Sequence, residues 1–169
     1  MAAMVDIHPI ASTIENILKE GGFWYERFVH EPVRTSIEAA KLRPEYSIQQ
    51  GTKSLIVKGK RPHEEKRFFM VVVSGDKQFD KHKLKSETGF SDVRFATPDE
   101  VATLTEGILP GGVPPLGNLF GLMVFADTLI FGNEKIIFNA GDRSVSIGMY
   151  AEDYRSIVTP EVKDISAQI

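Results

Sequence analysis

Gly111-Gly112-Val113-Pro114-Pro115-Leu116-Gly117 is the stretch of this sequence best suited to chemistry without a reactive side chain. Its glycines allow a backbone to approach a ligand closely, and its prolines hold that backbone still. An apolar segment, Leu122 to Phe125, follows, so the stretch reads as a fixed loop entering a strand. Such a loop can turn main-chain N–H groups toward an anion, a carbonyl or a developing oxyanion. The same residues also suit a tight connection between two core elements.

The reactive side chains are few. Lys53 follows Gly51-Thr52 at the mouth of an apolar strand. A cation there can reach across a sheet edge and hold a phosphate or carboxyl group, or it can end in solvent. The histidines, His8, His30, His63 and His82, have no metal-site spacing. His30 ends a strand beside Glu31-Pro32 and faces either a pocket or a surface turn. Asp127 is either a turn cap or a pocket carboxylate. There is no Gly-x-Ser-x-Gly, no P-loop and no dinucleotide fingerprint. The chain has no cysteine, which excludes disulfides, thiol catalysis and thiolate metal sites. No metal or other cofactor is expected.

The elements that must position these groups follow from periodicity and caps. Ile10 to Glu20 carries Ile14, Ile17 and Leu18 at helical spacing and stops at Gly21-Gly22. Trp24 to His30 reads as a strand. Thr35-Ser36-Ile37-Glu38 fits a capping box opening a short helix that ends before Pro44. Ser54 to Val57 and Phe68 to Val73 read as a hairpin with a loose tip at Gly59 to His63. Phe79 to Thr88 reads as a helix ending at Gly89, and Val93 to Ala96 as a strand. Thr97-Pro98-Asp99-Glu100 is a helix start with an N-cap, a proline in the first turn and acidic residues at the positive end of the dipole. Leu122 to Phe125, Thr128 to Phe131, Ile136 to Phe138 and Val145 to Met149 are apolar, strand-like runs; Tyr150 to Ile157 is a last short helix. Strands outnumber helices and often follow one another. The expected fold is therefore α+β, with a mixed, curved, barrel-like sheet and flanking helices.

The 169 residues predict one domain, with a helical segment over 1–22 and a core over 23–158. No basic start with a long apolar run is visible at Met1 to Ile10, and no apolar run approaches the roughly 20 residues needed to span a bilayer. A cytoplasmic protein without a membrane partner is the expectation. The net charge of −3 argues against a protein that coats nucleic acid. Cations nevertheless gather at Lys53, Lys58, Lys60, Arg61, Lys66 and Arg67, and again at Lys77 to Lys85. A face of that kind can touch a few phosphates.

The order of several segments resembles the YbaK family, aminoacyl-tRNA deacylases related to the editing domain inserted in bacterial prolyl-tRNA synthetase. The segments are Val33 to Ala40, Lys53-Ser54-Leu55-Ile56-Val57, Val73-Ser74-Gly75-Asp76, Ala96 to Val101, Gly111 to Gly117, Asp127, and Phe138-Asn139-Ala140-Gly141. Together they run from about Phe23 to about Val158. The resemblance implies a pocket for the 3′ end of a mischarged tRNA. It matches Lys53 to the family's lysine near the terminal adenosine and the ester, and Gly111 and Pro115 to the glycine and proline of its loop. The expected catalytic groups are Lys53 and Gly111. The expected substrate-binding residues are His30, Thr35, Gly112, Val113, Pro114, Pro115, Gly117, Asp127, Asn139, Gly141 and Ser144. Lys58, Lys60 and Arg61 are expected to attract the acceptor stem. Some members carry a histidine where this chain reads Phe138 to Gly141, so alanine specificity dependent on that histidine does not transfer.

With no serine elbow, no cysteine and no metal constellation, attack by water is favoured over an acyl-enzyme. The expected function is a free-standing trans-editing hydrolase for a small aminoacyl group, with tRNA as its partner and an aminoacyl-tRNA synthetase as a candidate second partner. The alternative is a non-catalytic module of the same fold that binds aminoacyl-tRNA or a synthetase.

Overall fold

The computed structural model describes residues 7–32 and 36–169. Its elements in order are α1 (Ile10–Glu20), β1 (Tyr25–Val29), α2 (Ser36–Leu42), β2 (Thr52–Lys60), β3 (Arg67–Ser74), β4 (Lys77–Phe79), α3 (Lys81–Thr88) and β5 (Ser91–Phe95). There follow α4 (Pro98–Thr105), β6 (Val124–Asp127), β7 (Lys135–Asn139), β8 (Val145–Tyr150), α5 (Ala151–Val158), β9 (Glu161–Lys163) and β10 (Ser166–Gln168).

Five strands form one mixed sheet in the order β5-β2-β3-β6-β9. Its β2–β3 hairpin is antiparallel, whereas β3–β6 and β6–β9 are parallel. Parallel neighbours need long crossovers, and the segment between β3 and β6 supplies one through α3, α4 and the Gly/Pro loop. Three strands form a second, antiparallel sheet, β1-β8-β7, and β10 pairs with β4. A parallel bridge from Gly51 to Ile137 links the start of β2 to β7. The architecture is the expected mixed α+β fold; among the described residues the sheets do not close into a barrel.

Strand β3 explains the core. Phe69, Met70, Val71, Val72 and Val73 are all fully buried. A strand covered on both faces reads as a continuous apolar run, not an alternating one. Met70 and Val72 face one cluster with Ile14 and Leu18 of α1, Phe138 and Ile147. Phe69, Val71 and Val73 face another with Leu84, Phe90, Phe125 and Ile165.

Local signals placed most boundaries. In α4 the Thr97 hydroxyl accepts from the Glu100 N–H, and the Glu100 carboxylate accepts from the Thr97 N–H. Three expectations shift. Helix α3 starts at Lys81, because Asp80 is its cap and Lys77–Phe79 pairs as a strand with β10. Thr128–Gly132 is a 3₁₀ turn, not a strand, because the Asp127 side chain caps it. Strands β9 and β10 lie in a stretch that shows no strand pattern in the sequence. The Thr35 capping box lies outside the described residues.

Candidate active site

The Gly/Pro loop leaves α4 and ends in the 3₁₀ turn Gly117–Phe120. Gly111 is exposed, and Gly112, Val113, Pro114, Pro115, Leu116 and Gly117 are buried. Its carbonyls are tied one after another. Arg143 Nη2 donates to Pro110 O at 2.7 Å, Asn139 Nδ2 to Gly111 O at 2.7 Å, and the Gly141 N–H to Gly112 O at 2.8 Å. The Ser54 hydroxyl donates to Val113 O, and the buried Tyr154 hydroxyl to Pro115 O at 2.7 Å. Burial pushes the Tyr154 phenol up, so it stays a donor. With the carbonyls engaged, the backbone orientation is fixed. The Gly111 and Val113 N–H groups have no acceptor among the described residues. Donors held in this way are what an oxyanion or a carbonyl oxygen needs.

Two glycines make the geometry possible. Gly111 has φ +90°, and a Cβ there would meet the Arg143 guanidinium at 2.7 Å. Gly141 has φ +95°, and a Cβ there would lie 2.2 Å from Ile10 of α1. A side chain at either position would be strained by its backbone as well as by its neighbour.

A polar network sits behind the loop. His30 Nε2 lies 2.7 Å from Ser146 Oγ, and its Nδ1 lies 2.8 Å from the Glu31 carbonyl. Arg43 Nη1 donates to the same Ser146 oxygen at 3.0 Å, and Arg43 Nε to Ala39 O at 3.2 Å. Ser146 Oγ is 3.5 Å from Asn139 Oδ1. Ser146 is fully buried and Arg43 is 6% exposed, while His30 and Asn139 are half-buried. Arg43 joins none of the ion pairs among the described residues. Burial lowers its guanidinium to about 10, so it remains charged at neutral pH. His30 and Asn139 thus meet beside the loop, as does Gly141. Nothing in the sequence pointed to Arg43, Ser146, Ser54 or Tyr154. Ser54 is adjacent to Lys53, and Arg43 stands four residues after buried Ala39, one turn along the helix.

Lys53 lies elsewhere. It pairs across the hairpin with Val73, and its Nζ donates to the Lys77 carbonyl. Successive strand residues point to opposite faces. Ser54 reaches the loop, so Lys53 turns to the other side, toward a cavity of about 550 Å³. Phe79, Lys81, His82 and Phe95 share that lining. Burial lowers the Lys53 ammonium, and the Asp76 carboxylate partly opposes this. The side-chain contact with the loop from this part of β2 comes from Ser54, while Lys53 contacts the Lys77 carbonyl.

Other candidates take different places. Asp127 is fully buried: Oδ1 accepts from the Ile165 N–H at 2.8 Å, and Oδ2 from Ser166 Oγ at 2.8 Å and the Leu129 N–H at 3.3 Å. Its pocket role is corrected, because its oxygens are spent on holding the segment between β9 and β10. The Ser144 hydroxyl donates to Asp142 at 2.6 Å, while its carbonyl accepts the His30 N–H at 2.9 Å. Gly117 packs against Val124. Lys58 lies over the Phe68 ring, Lys60 pairs with Asp92 at 3.7 Å, and Arg61 pairs with Glu64 at 2.9 Å. Thr35 is outside the described residues. No helix among the described residues is long and apolar enough to cross a membrane.

Comparison with known proteins identifies the family. The chain is 30% identical over 147 residues to the multifunctional Ser/Thr-tRNA deacylase ProXp-y of Escherichia coli K12, covering 86% of each protein. It is 25% identical over 144 residues to the proline–tRNA ligase of Ralstonia pickettii, covering 80% of this chain and 23% of that one. Its fold is similar to a crystal structure described as a candidate trans-editing enzyme for prolyl tRNA synthetase. That pair is 24% identical with a TM-score of 0.78, covering 96% and 99% of the two chains. The aminoacyl-tRNA editing domain matches residues 30–157, which bears out the resemblance read from the sequence. By this match and its ProXp-y relative, the chain belongs to the aminoacyl-tRNA editing domain family.

Proposed function

We propose that this protein is a trans-editing deacylase that hydrolyses the ester of tRNA charged with a small amino acid. The observation that carries the reading is the tethered loop, whose Gly111 and Val113 N–H groups lack an acceptor among the described residues while its carbonyls are held. In the reaction water adds to the ester carbonyl, and the loop N–H groups take up the charge that develops on its oxygen. The bond to the ribose oxygen then breaks, and that oxygen leaves with a proton, giving free amino acid and free 3′ end. The second ribose hydroxyl can assist the proton transfer.

Asn139, His30 and Gly141, together with the Val113 to Pro115 backbone, form the acyl side of the site. For Lys53, a half-buried ammonium facing a cavity away from the loop supports phosphate positioning over contact with the ester. Lys81 and His82 share that cavity and add to the same role. Lys58, Lys60 and Arg61 lie further along β2 and its exit, where they can attract the acceptor stem. The ProXp-y relative's activity supports the reaction class, and the proline–tRNA ligase relative supports synthetase association.

The test is a set of time courses for tRNA charged with Ala, Cys, Ser or Thr. Catalysed loss of at least one ester is the expected result. Binding of charged tRNA without turnover would instead support the non-catalytic module.

A further inference from the structure

Two arginines lie over one buried ring. The guanidinium carbon of Arg61 is 4.7 Å from the centre of the Phe90 ring, and that of Arg67 is 5.3 Å from it. Phe90 is fully buried and packs on Phe69, with ring centroids 4.4 Å apart. A guanidinium held against a ring keeps its N–H donors in its own plane, where a phosphate can take two of them. Arg61 gives its Nε–H to Glu64 at 2.9 Å. Arg67 is exposed, and its guanidinium joins no hydrogen bond or ion pair among the described residues. The negative end of the α3 dipole adjoins the pair, since Gly89 caps that helix directly before Phe90.

The pair shares a side of the sheet with Lys53. Arg67 stands opposite Gly59 in the β2–β3 ladder, and Val73 stands opposite Lys53. Alternate residues of a strand share a face. Arg67, Phe69, Val71 and Val73 are therefore on the side that carries the Lys53 cavity, which Val73 also lines. The six steps of β3 from Arg67 to Val73 cover about 20 Å. Helix α3 lies over the same side: Lys81 and His82 line the cavity at its start, Leu84 packs in the cluster of Phe69, and Phe90 follows its end.

We propose that Arg61 and Arg67 form a phosphate site for the paired part of the tRNA acceptor stem, with the unpaired 3′ end passing along this side of the sheet toward the Lys53 cavity. The inference rests on the deacylase reading for the course of the 3′ end, and adds to it a second, duplex-binding place. A paired RNA stem is held through its phosphates and shape, with little reading of its bases. Two guanidiniums at one fixed place suit that task. The ring orders both side chains before binding, so they lose less freedom on contact than free surface lysines would. Glu64 occupies Arg61 in the free protein, and an arriving phosphate displaces that carboxylate.

The experiment uses one amino acid esterified either to full-length tRNA or to a short single-stranded oligonucleotide with the sequence of its 3′ end. The wild type is compared with Arg67→Gln, Arg67→Lys, Arg61→Gln and Glu64→Gln, with thermal unfolding as the check of folding. Arg67→Gln and Arg61→Gln should each raise KM for tRNA about fivefold at about 0.15 M salt, and flatten the slope of log KM against log salt by about one. KM for the oligonucleotide should not change. Arg67→Lys keeps the charge without the planar fork and should fall between wild type and Arg67→Gln. Glu64→Gln frees Arg61 and should lower KM for tRNA. If Arg67→Gln does not fold, Arg67→Lys and Glu64→Gln decide. A lower melting temperature with KM and slope unchanged, or an equal loss on tRNA and oligonucleotide, would overturn the proposal while leaving the deacylase reading intact. If the wild type hydrolyses neither substrate, the deacylase reading falls, and fluorescence anisotropy with uncharged tRNA decides the arginine site: a salt slope that depends on Arg67 keeps it, and an unaltered slope removes it.

Discussion

Lys53 and Ser54 are neighbours in β2, yet the Ser54 hydroxyl donates to the Val113 carbonyl while the Lys53 ammonium turns to the Lys77 carbonyl. One residue step separates a contact with the Gly/Pro loop from a contact with the cavity on the other face.

The two side chains should therefore fail in different ways. Ser54→Ala frees a loop carbonyl and is expected to lower kcat about tenfold. Lys53→Ala is expected to raise KM and to flatten the slope of log KM against log salt by about one, as loss of a single phosphate contact does. Steady-state kinetics across a salt series measures both. Full activity with an unaltered slope in Lys53→Ala would remove that lysine from tRNA binding.

Asp127 is a structural residue with its oxygens engaged. Asp127→Ala is expected to cost about 3 kcal/mol, because it strands buried donors. Thermal unfolding should fall by about 6–12 °C. Deacylation per folded molecule should hardly change, and a specific loss of kcat at full stability would contradict this assignment.

Gly141→Ala combines a disfavoured φ with a collision against Ile10. The backbone term alone is about 1–3 kcal/mol. Denaturant unfolding should show at least that loss, and kcat should fall too, since the Gly141 N–H holds the Gly112 carbonyl.

Glu100 provides a pH marker at the start of α4. The two hydrogen bonds from Arg94, together with the Thr97 N–H, lower its carboxyl to about 2. A carboxyl whose folded value is depressed stabilises the fold fully above its ordinary value near 4.5. That contribution fades as pH falls from there toward 2. NMR titration of the Glu100 side chain should give a midpoint near 2, and Arg94→Ala should raise it.

The sequence was most legible where the physics is local. Thr97 and Glu100 announced α4 because both halves of a capping box lie within four residues. Ile14 and Leu18 marked the buried stripe of α1 for the same reason. β9 and β10 were missed because each is three residues long and has few apolar residues; both depend on distant partners, β6 and β4. The loop was recognisable from its glycines and prolines, but not the side chains that tether it. Arg43 and Ser146 meet across 103 positions of sequence, a juxtaposition that no spacing pattern encodes. The face of β2 that Lys53 leaves was not legible, because order along the chain does not say which face of a strand a side chain takes.

The tethers of the Gly/Pro loop come from β2, β7, the turn before β8, and α5. Donors spread so widely cannot assemble early. A chain emerging N-terminus first would complete these tethers only once Tyr154 had been synthesised and α5 had docked.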